Sequence, residues 1–231
     1  MCGYVELENG EKAIEGLKQL NFDDLIPTFS APITEKCYPA FGGDAQRKIP
    51  IIILEQGRIK KVYATWWFDC YQDVEQLVVG RRTTFNARNL SSPFWQHAFY
   101  NQRGILLATG LGESKMVGKS KQQFYFSSEH VFCLGVLYKR FANGQYSAAI
   151  ITRDAHPKFV AFHDKAFPLF LPLRSEFARV WLTPEQDIEP SISRLLAHPV
   201  LYPELKVQRV KTFKNKETLR SFNPVILHAD C

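Results

Sequence analysis

Residues 49–68 read IPIIILEQGRIKKVYATWWF, two apolar runs on either side of Gln56-Gly57. Each run has the length of a strand, and a polar residue followed by glycine between them signals a tight β-hairpin. The same texture recurs further along the chain. KQQFYFSS at 121–128, HVFCLGVLYKRF at 130–141 and QYSAAIITRD at 145–154 read as more strands, with Asn143-Gly144 marking a tight turn between the last two. Helical spacing is rarer. Ser92-Pro93 forms an N-cap and first-turn pair opening SPFWQHAFYNQRG, which stops at Gly104, and two more helices are predicted in SEFARVWL at 175–182 and PSISRLLAHP at 190–199. Many strands, few helices and no regular β-α-β alternation predict an α+β fold: a curved mixed, barrel-like β-sheet with a few peripheral helices.

Length and composition are those of a folded globular chain. The 231 residues are 45% hydrophobic and 23% charged, with no internal repeat and no Gly/Ser-rich linker, so residues 1–231 are expected to form a single domain. No apolar run reaches the length of a membrane span. The start, MCGYVELENGEK, is acidic and lacks the apolar core of a signal peptide, which predicts a cytoplasmic protein with no membrane partner. Five cysteines, Cys2, Cys37, Cys70, Cys133 and Cys231, include no C-x-x-C pair, so neither a disulfide framework nor a zinc site is expected, and no cofactor is implied. A net charge of +6 is compatible with an anionic partner.

Four stretches can carry chemistry. In MCGY, removal of Met1 would leave Cys2 with a free α-amine beside its thiol; reference values near 8 and 8.5 leave a useful fraction of the amine unprotonated at neutral pH. RRTTFNARNLSSP at 81–93 concentrates Arg81, Arg82 and Arg88 around Asn86, a set suited to phosphates and to holding a small polar group. Read alone, it is equally a solvated basic loop. ILLATGLGESKMVGKSK at 105–121 runs an apolar strand into glycines and Glu113, a carboxylate whose pKa burial would raise, followed by Lys115, Lys119 and Lys121. In AAIITRDAHPKFVAFHDKAFPLFLP at 148–172, His163 stands among apolar residues, where a lone histidine is more often packed than catalytic, and His156 before Pro157 reads as a turn residue.

The order MCG, FNAR, a glycine-bounded glutamate, then T-x-x-A-x-P followed by His163-Asp164 before P-L-x-L-P resembles the SOS-response-associated peptidase (SRAP) family, also called abasic-site processing proteins. ELKVQRVKTFKNKETLRSFNPVIL at 204–227 looks like the family's closing segment. The resemblance implies an enzyme that binds single-stranded DNA and captures abasic sites covalently through Cys2. The α-amine would attack the opened sugar's C1′ to give a Schiff base, and the thiol would close a thiazolidine. The resulting DNA–protein crosslink would shield the lesion during the DNA damage response. It further implies AP-lyase activity and peptidase activity limited to the terminal methionine or a DNA-linked peptide.

By the same resemblance, Asn86 would hold the amine and sugar in register and Arg88 would grip a flanking phosphate, with Arg81, Arg82 and Lys165 as further DNA contacts. Glu113 would shuttle the proton that opens the deoxyribose, and His163 would assist proton transfer at the sugar. Trp66 and Trp67 would stack on bases, although they suit a core equally well. The implied partners are single-stranded DNA containing abasic sites and replication-fork proteins, with a monomer as the default state. The chain departs from the family pattern at Tyr4, where arginine is usual, at Gly110-Leu111-Gly112-Glu113-Ser114 in place of G-F-Y-E-W, and at His163-Asp164-Lys165-Ala166-Phe167-Pro168 in place of H-x-R-M-P.

Two other readings stand beside this one. Class II glutamine amidotransferases also begin MCG and use Cys2 as an N-terminal nucleophile, but their Asn-Gly-Glu motif is matched here only by Asn9-Gly10-Glu11, close to the terminus. The second is a non-catalytic single-stranded DNA-binding module carried by the basic stretches.

Overall fold

The computed structural model describes residues 3–185, 188–219 and 222–230. Its elements, in chain order, begin with β1 (Tyr4–Glu8), α1 (Glu11–Gln19), the short α2 (Ile26–Phe29), β2 (Thr34–Cys37), β3 (Lys48–Glu55), β4 (Arg58–Thr65), β5 (Cys70–Asp73), β6 (Gln76–Val79) and β7 (Asn86–Ala87). They continue with α3 (Pro93–Asn101), β8 (Arg103–Val117), β9 (Ser120–Arg140), β10 (Tyr146–Arg153), β11 (Phe167–Pro168), β12 (Phe170–Leu171), α4 (Ser175–Leu182), α5 (Pro190–Ala197), β13 (Leu205–Val210) and β14 (Val225–Leu227).

The hairpin expected in residues 49–68 is β3 and β4, paired from Lys48↔Thr65 to Glu55↔Arg58. Gln56 and Gly57 both take positive φ, 51° and 74°, as a two-residue turn matched to strand twist requires. From this hairpin the sheet closes. β4 pairs in parallel with β10, β10 with β9, β9 with β8, and β8 back with β3, making a ring of five strands. The outer halves of β8 and β9 then leave the ring and join a second, antiparallel stretch in the order β2-β1-β8-β9-β13-β14. The fold is therefore α+β with a curved, mixed and barrel-like sheet.

Burial explains the run IPIIIL. Ile49, Ile51 and Ile53 point into the ring with Leu106, Ala108, Leu134, Val136, Ala148 and Ile150. Ile52, Ile105, Leu107, Cys133, Leu137, Ala149 and Ile151 point outward and are covered by α1, α3, α4 and α5. Strands covered on both faces lose the polar alternation of a half-exposed sheet and read as continuous apolar runs.

Three details differ from the sequence reading. KQQFYFSS and HVFCLGVLYKRF are one 21-residue strand, β9, because its register against β8 shifts between Ala108 and Gly110 and the bulge carries the strand through the exposed residues Glu129 and His130. Arg103 and Gly104 begin β8 rather than ending α3. α1 was not anticipated, although Ala13, Leu17 and Leu20 lie on one buried face; Gly16 lets it approach β9, where a Cβ would lie 2.2 Å from a Val131 methyl.

Arg103 is buried, and its charge is met chiefly by backbone carbonyls. Its guanidinium donates to the carbonyls of Phe99 at 2.7 Å, Trp181 at 2.7 Å and Thr183 at 2.5 Å. These carbonyls lie at the C-terminal ends of α3 and α4, where the helix dipoles favour a cation and the last carbonyls need donors.

Candidate active site

β1 and β8 bring Gly3 to Glu113. They run antiparallel with Tyr4 opposite Gly112, and the Gly3 N–H donates to the Gly112 carbonyl at 3.3 Å. Continued one step, this register sets Gly3, the residue following Cys2, opposite Glu113. Cys2 itself falls outside the described residues.

Glu113 shares its side of β8 with Leu111, opposite Phe124 on β9. It is 1% exposed, and burial pushes its carboxyl up to about 7, so near neutrality it exists in both protonation states. On the other side of the strand, Gly110 and Gly112 make room for aromatic rings. A Cβ on Gly112 would lie 2.7 Å from Phe213, and one on Gly110 2.4 Å from the Tyr125 hydroxyl.

His163 arrives from the turn after β10. The His163 N–H donates to the Phe159 carbonyl at 2.7 Å, and Phe159 and Phe162 pack into the core. The ring is 4% exposed, with Nδ1 3.7 Å from a Glu113 carboxylate oxygen and 2.8 Å from the Ser114 carbonyl. A carbonyl can only accept, so Nδ1 carries the proton in the neutral ring and Nε2 is the basic nitrogen. Burial lowers the His163 pKa, which favours that neutral form. A carboxyl raised toward 7 can give or take a proton near neutrality, and Nε2 of the neutral imidazole can take one.

Asn86 begins β7, which pairs in parallel with β10 with Asn86 opposite Ile150; its side-chain carbonyl oxygen is buried. Two residues on, Arg88 donates to the Lys165 carbonyl at 2.8 Å and pairs with Asp154 at 2.5 Å. This ties the FNAR segment to the turn that carries His163. The Arg88–Asp154 pair is largely solvent-exposed, so exchanging the carboxylate for a phosphate costs little. Arg81, Arg82 and Lys165 are all exposed.

Trp66 and Trp67 are core residues, which corrects the expectation that they stack on bases. They are 0% and 6% exposed, and their indole N–H groups donate to the carbonyls of Phe85 at 2.9 Å and Gly80 at 3.2 Å. Trp67 also stacks on Phe85 at 5.7 Å. Their apolar rings are withdrawn from water to brace the residue immediately before Asn86. Sequence reasoning missed the exposed aromatic beside them: Phe41 is 48% exposed and lies edge-on to Phe85 at 4.9 Å and to Trp67 at 5.5 Å. The only sequence signal for it is the pair Gly42-Gly43 that follows, both at positive φ.

Tyr4, at the position where arginine was expected, enters a buried network. Its hydroxyl donates to Glu6 at 2.5 Å, Tyr125 donates to the same carboxylate at 2.8 Å, and Lys216 reaches both of its oxygens at 2.8 and 2.9 Å. Lys216 and the tyrosine hydroxyls hold the Glu6 carboxyl below its usual value despite burial, which acts in the opposite direction. Phe213 stacks on Tyr4 at 5.3 Å, so residues 213–216 press on the back of both strands that lead to the site.

The sequence profile of the SOS response associated peptidase (SRAP) family matches residues 1–216. The chain belongs to this family. Membership gives it a role associated with the SOS response and DNA repair. Solved structures share the SRAP fold at low identity. A protein from Bacteroides thetaiotaomicron superposes with a TM-score of 0.63 at 18% identity, covering 94% of this chain and 95% of that one. A protein from Bordetella bronchiseptica gives 0.61 at 18%, covering 91% and 100%, and a phage-related protein from the same organism gives 0.59 at 17%, covering 91% and 95%. Among curated proteins, none matches the chain. No helix among the described residues is long and apolar enough to cross a membrane.

Proposed function

We propose that this SRAP protein captures abasic sites in single-stranded DNA by forming a thiazolidine at Cys2. The observation that carries this reading is the buried Glu113–His163 pair beside the start of β1, the strand that follows Cys2, with Gly3 bonded to Gly112. An abasic deoxyribose must open to its aldehyde before an amine can add, and opening requires a proton at the ring oxygen. A carboxyl with a pKa near 7 supplies that proton at neutral pH far more readily than an exposed glutamate.

The Cys2 α-amine then adds to C1′, water leaves, and an imine forms. The thiol adds to the imine carbon and its proton passes to nitrogen, closing a five-membered ring with one water lost overall. Both nucleophiles belong to one residue, so ring closure is intramolecular and outcompetes any external thiol. Nε2 of His163 accepts and returns protons at the sugar. The same transfers in reverse release the crosslink, and elimination from the imine gives strand cleavage.

Asn86 holds the amine and sugar in register. Arg88 exchanges Asp154 for a phosphate flanking the lesion, and Arg81, Arg82 and Lys165 bind neighbouring phosphates. Phe41 offers the exposed ring on which a base can stack, a role the buried Trp66 and Trp67 leave open.

The test is a denaturing gel of the purified protein, its loss of Met1 verified by intact mass, after incubation with single-stranded DNA bearing one abasic site. A slow band that survives heat and detergent, present for the wild type and absent for Cys2→Ala and for undamaged DNA, is expected. Retention of that band by Cys2→Ala would exclude the terminal cysteine as the nucleophile. Binding of DNA with no band would favour the non-catalytic module.

A further inference from the structure

We propose that residues Phe222–Asp230 are a positioning strap for the Glu113–His163 pair. This rests on the reading of that pair as the proton-transfer groups of the site. The segment packs directly against the walls of the pair. Phe222 lies 5.8 Å from Phe124, the residue opposite Glu113 on β9, and 6.4 Å from Phe162, which precedes His163. Phe124 and Phe162 contact each other edge-on at 5.3 Å, so three rings form one apolar wall. Removing the Phe222 ring takes away the outermost of the three and admits water toward groups whose pKa values depend on its exclusion.

The strap is fastened at its far end. Asp230 accepts from the Leu201 N–H at 2.6 Å and pairs with Lys158 at 2.7 Å and His156 Nε2 at 3.1 Å. Lys158 also donates to the carbonyls of His228 at 2.8 Å and Ala229 at 3.1 Å. His156 and Lys158 begin the turn that ends at His163, and the His156 carbonyl accepts from the Phe159 N–H at 2.8 Å. Asp230 thus holds one end of the turn while Phe222 closes the other. Among the described residues, the charged groups around the pair are Asp164 and Lys165 on the same turn and Lys115 on β8, which pairs with Asp164 at 3.7 Å and donates to the Val160 carbonyl at 2.7 Å. None of them belongs to the strap, so its influence on the pair acts through packing and exclusion of water.

The experiment compares wild type, Phe222→Ala, Phe222→Leu and Asp230→Asn in the full chain, by two readouts. The first is the rate of covalent capture of abasic single-stranded DNA from pH 5 to 9. The second is an NMR titration of the Glu113 carboxyl and the His163 ring. In Phe222→Ala the Glu113 midpoint is expected to fall by about one unit or more and the His163 midpoint to rise, with capture at pH 7 reduced roughly tenfold. Phe222→Leu restores the wild-type values, and Asp230→Asn shifts both midpoints in the same direction by less. Titrations of Phe222→Ala and Asp230→Asn that superimpose on wild type overturn the strap. If Phe222→Ala does not fold, Asp230→Asn alone decides. A wild type that forms no crosslink defeats the capture chemistry, and the titrations still decide the strap.

Discussion

Glu113 carries an electrostatic consequence that reaches the neutral pH range. Burial raises its pKa from 4.5 to about 7, so the folded chain holds a proton that the unfolded chain releases. The stability tied to that proton is fully present below about pH 4.5 and is lost as pH rises through 7. Glu113→Gln keeps the shape without the charge and is expected to match wild type at acid pH. At pH 8 it is expected to be more stable by up to about 3 kcal/mol, read as the urea midpoint against pH. Parallel wild-type and variant curves between pH 5 and 8 would mean that the carboxyl is not raised. A gain in stability on removing a site residue fits a group held in an unfavourable environment for chemistry. The glutamate was legible in the sequence because it followed an apolar strand and two glycines; its pairing with His163 was not, because nothing local links residues 113 and 163. Trp66 and Trp67 show the opposite failure. Adjacent aromatics beside a basic stretch suit a base platform or a core equally, and only the carbonyls of Phe85 and Gly80 decide between them.

The strands were legible where turns and periodicity agreed, as in β3–β4, where Gln56-Gly57 fixes the register. The continuity of β9 was not, because its bulge reads as a polar break between two strands. A barrel-like sheet was expected, but the pairing that closes it was hidden, since β4 joins β10 in parallel across about 80 positions through no local signal. Arg103 shows how the helices are locked to that ring. Arg103→Met removes the donors that serve α3 and α4 together and strands several buried carbonyls. A loss of roughly 3–5 kcal/mol is expected, measured by chemical denaturation, with Arg103→Lys recovering only part because an ammonium cannot span three carbonyls in a plane. A loss below about 1 kcal/mol would show that the helix ends find other partners.

The molecule's organisation follows from β8 and β9, which belong both to the closed ring and to the antiparallel extension. The ring supplies rigidity through a core filled on both faces. The extension carries β1, and with it Gly3, to Glu113, while the turn after β10 returns His163, and β13 and residues 213–216 close the back. The most direct measurement is peptide mapping by mass spectrometry of the protein–DNA conjugate formed on abasic single-stranded DNA. Capture by the proposed chemistry predicts one modified peptide, beginning at Cys2 without Met1, carrying the sugar remnant with one water lost and stable without a reducing agent. A conjugate mapped to a lysine, or one that survives only after borohydride reduction, would contradict thiazolidine formation at Cys2.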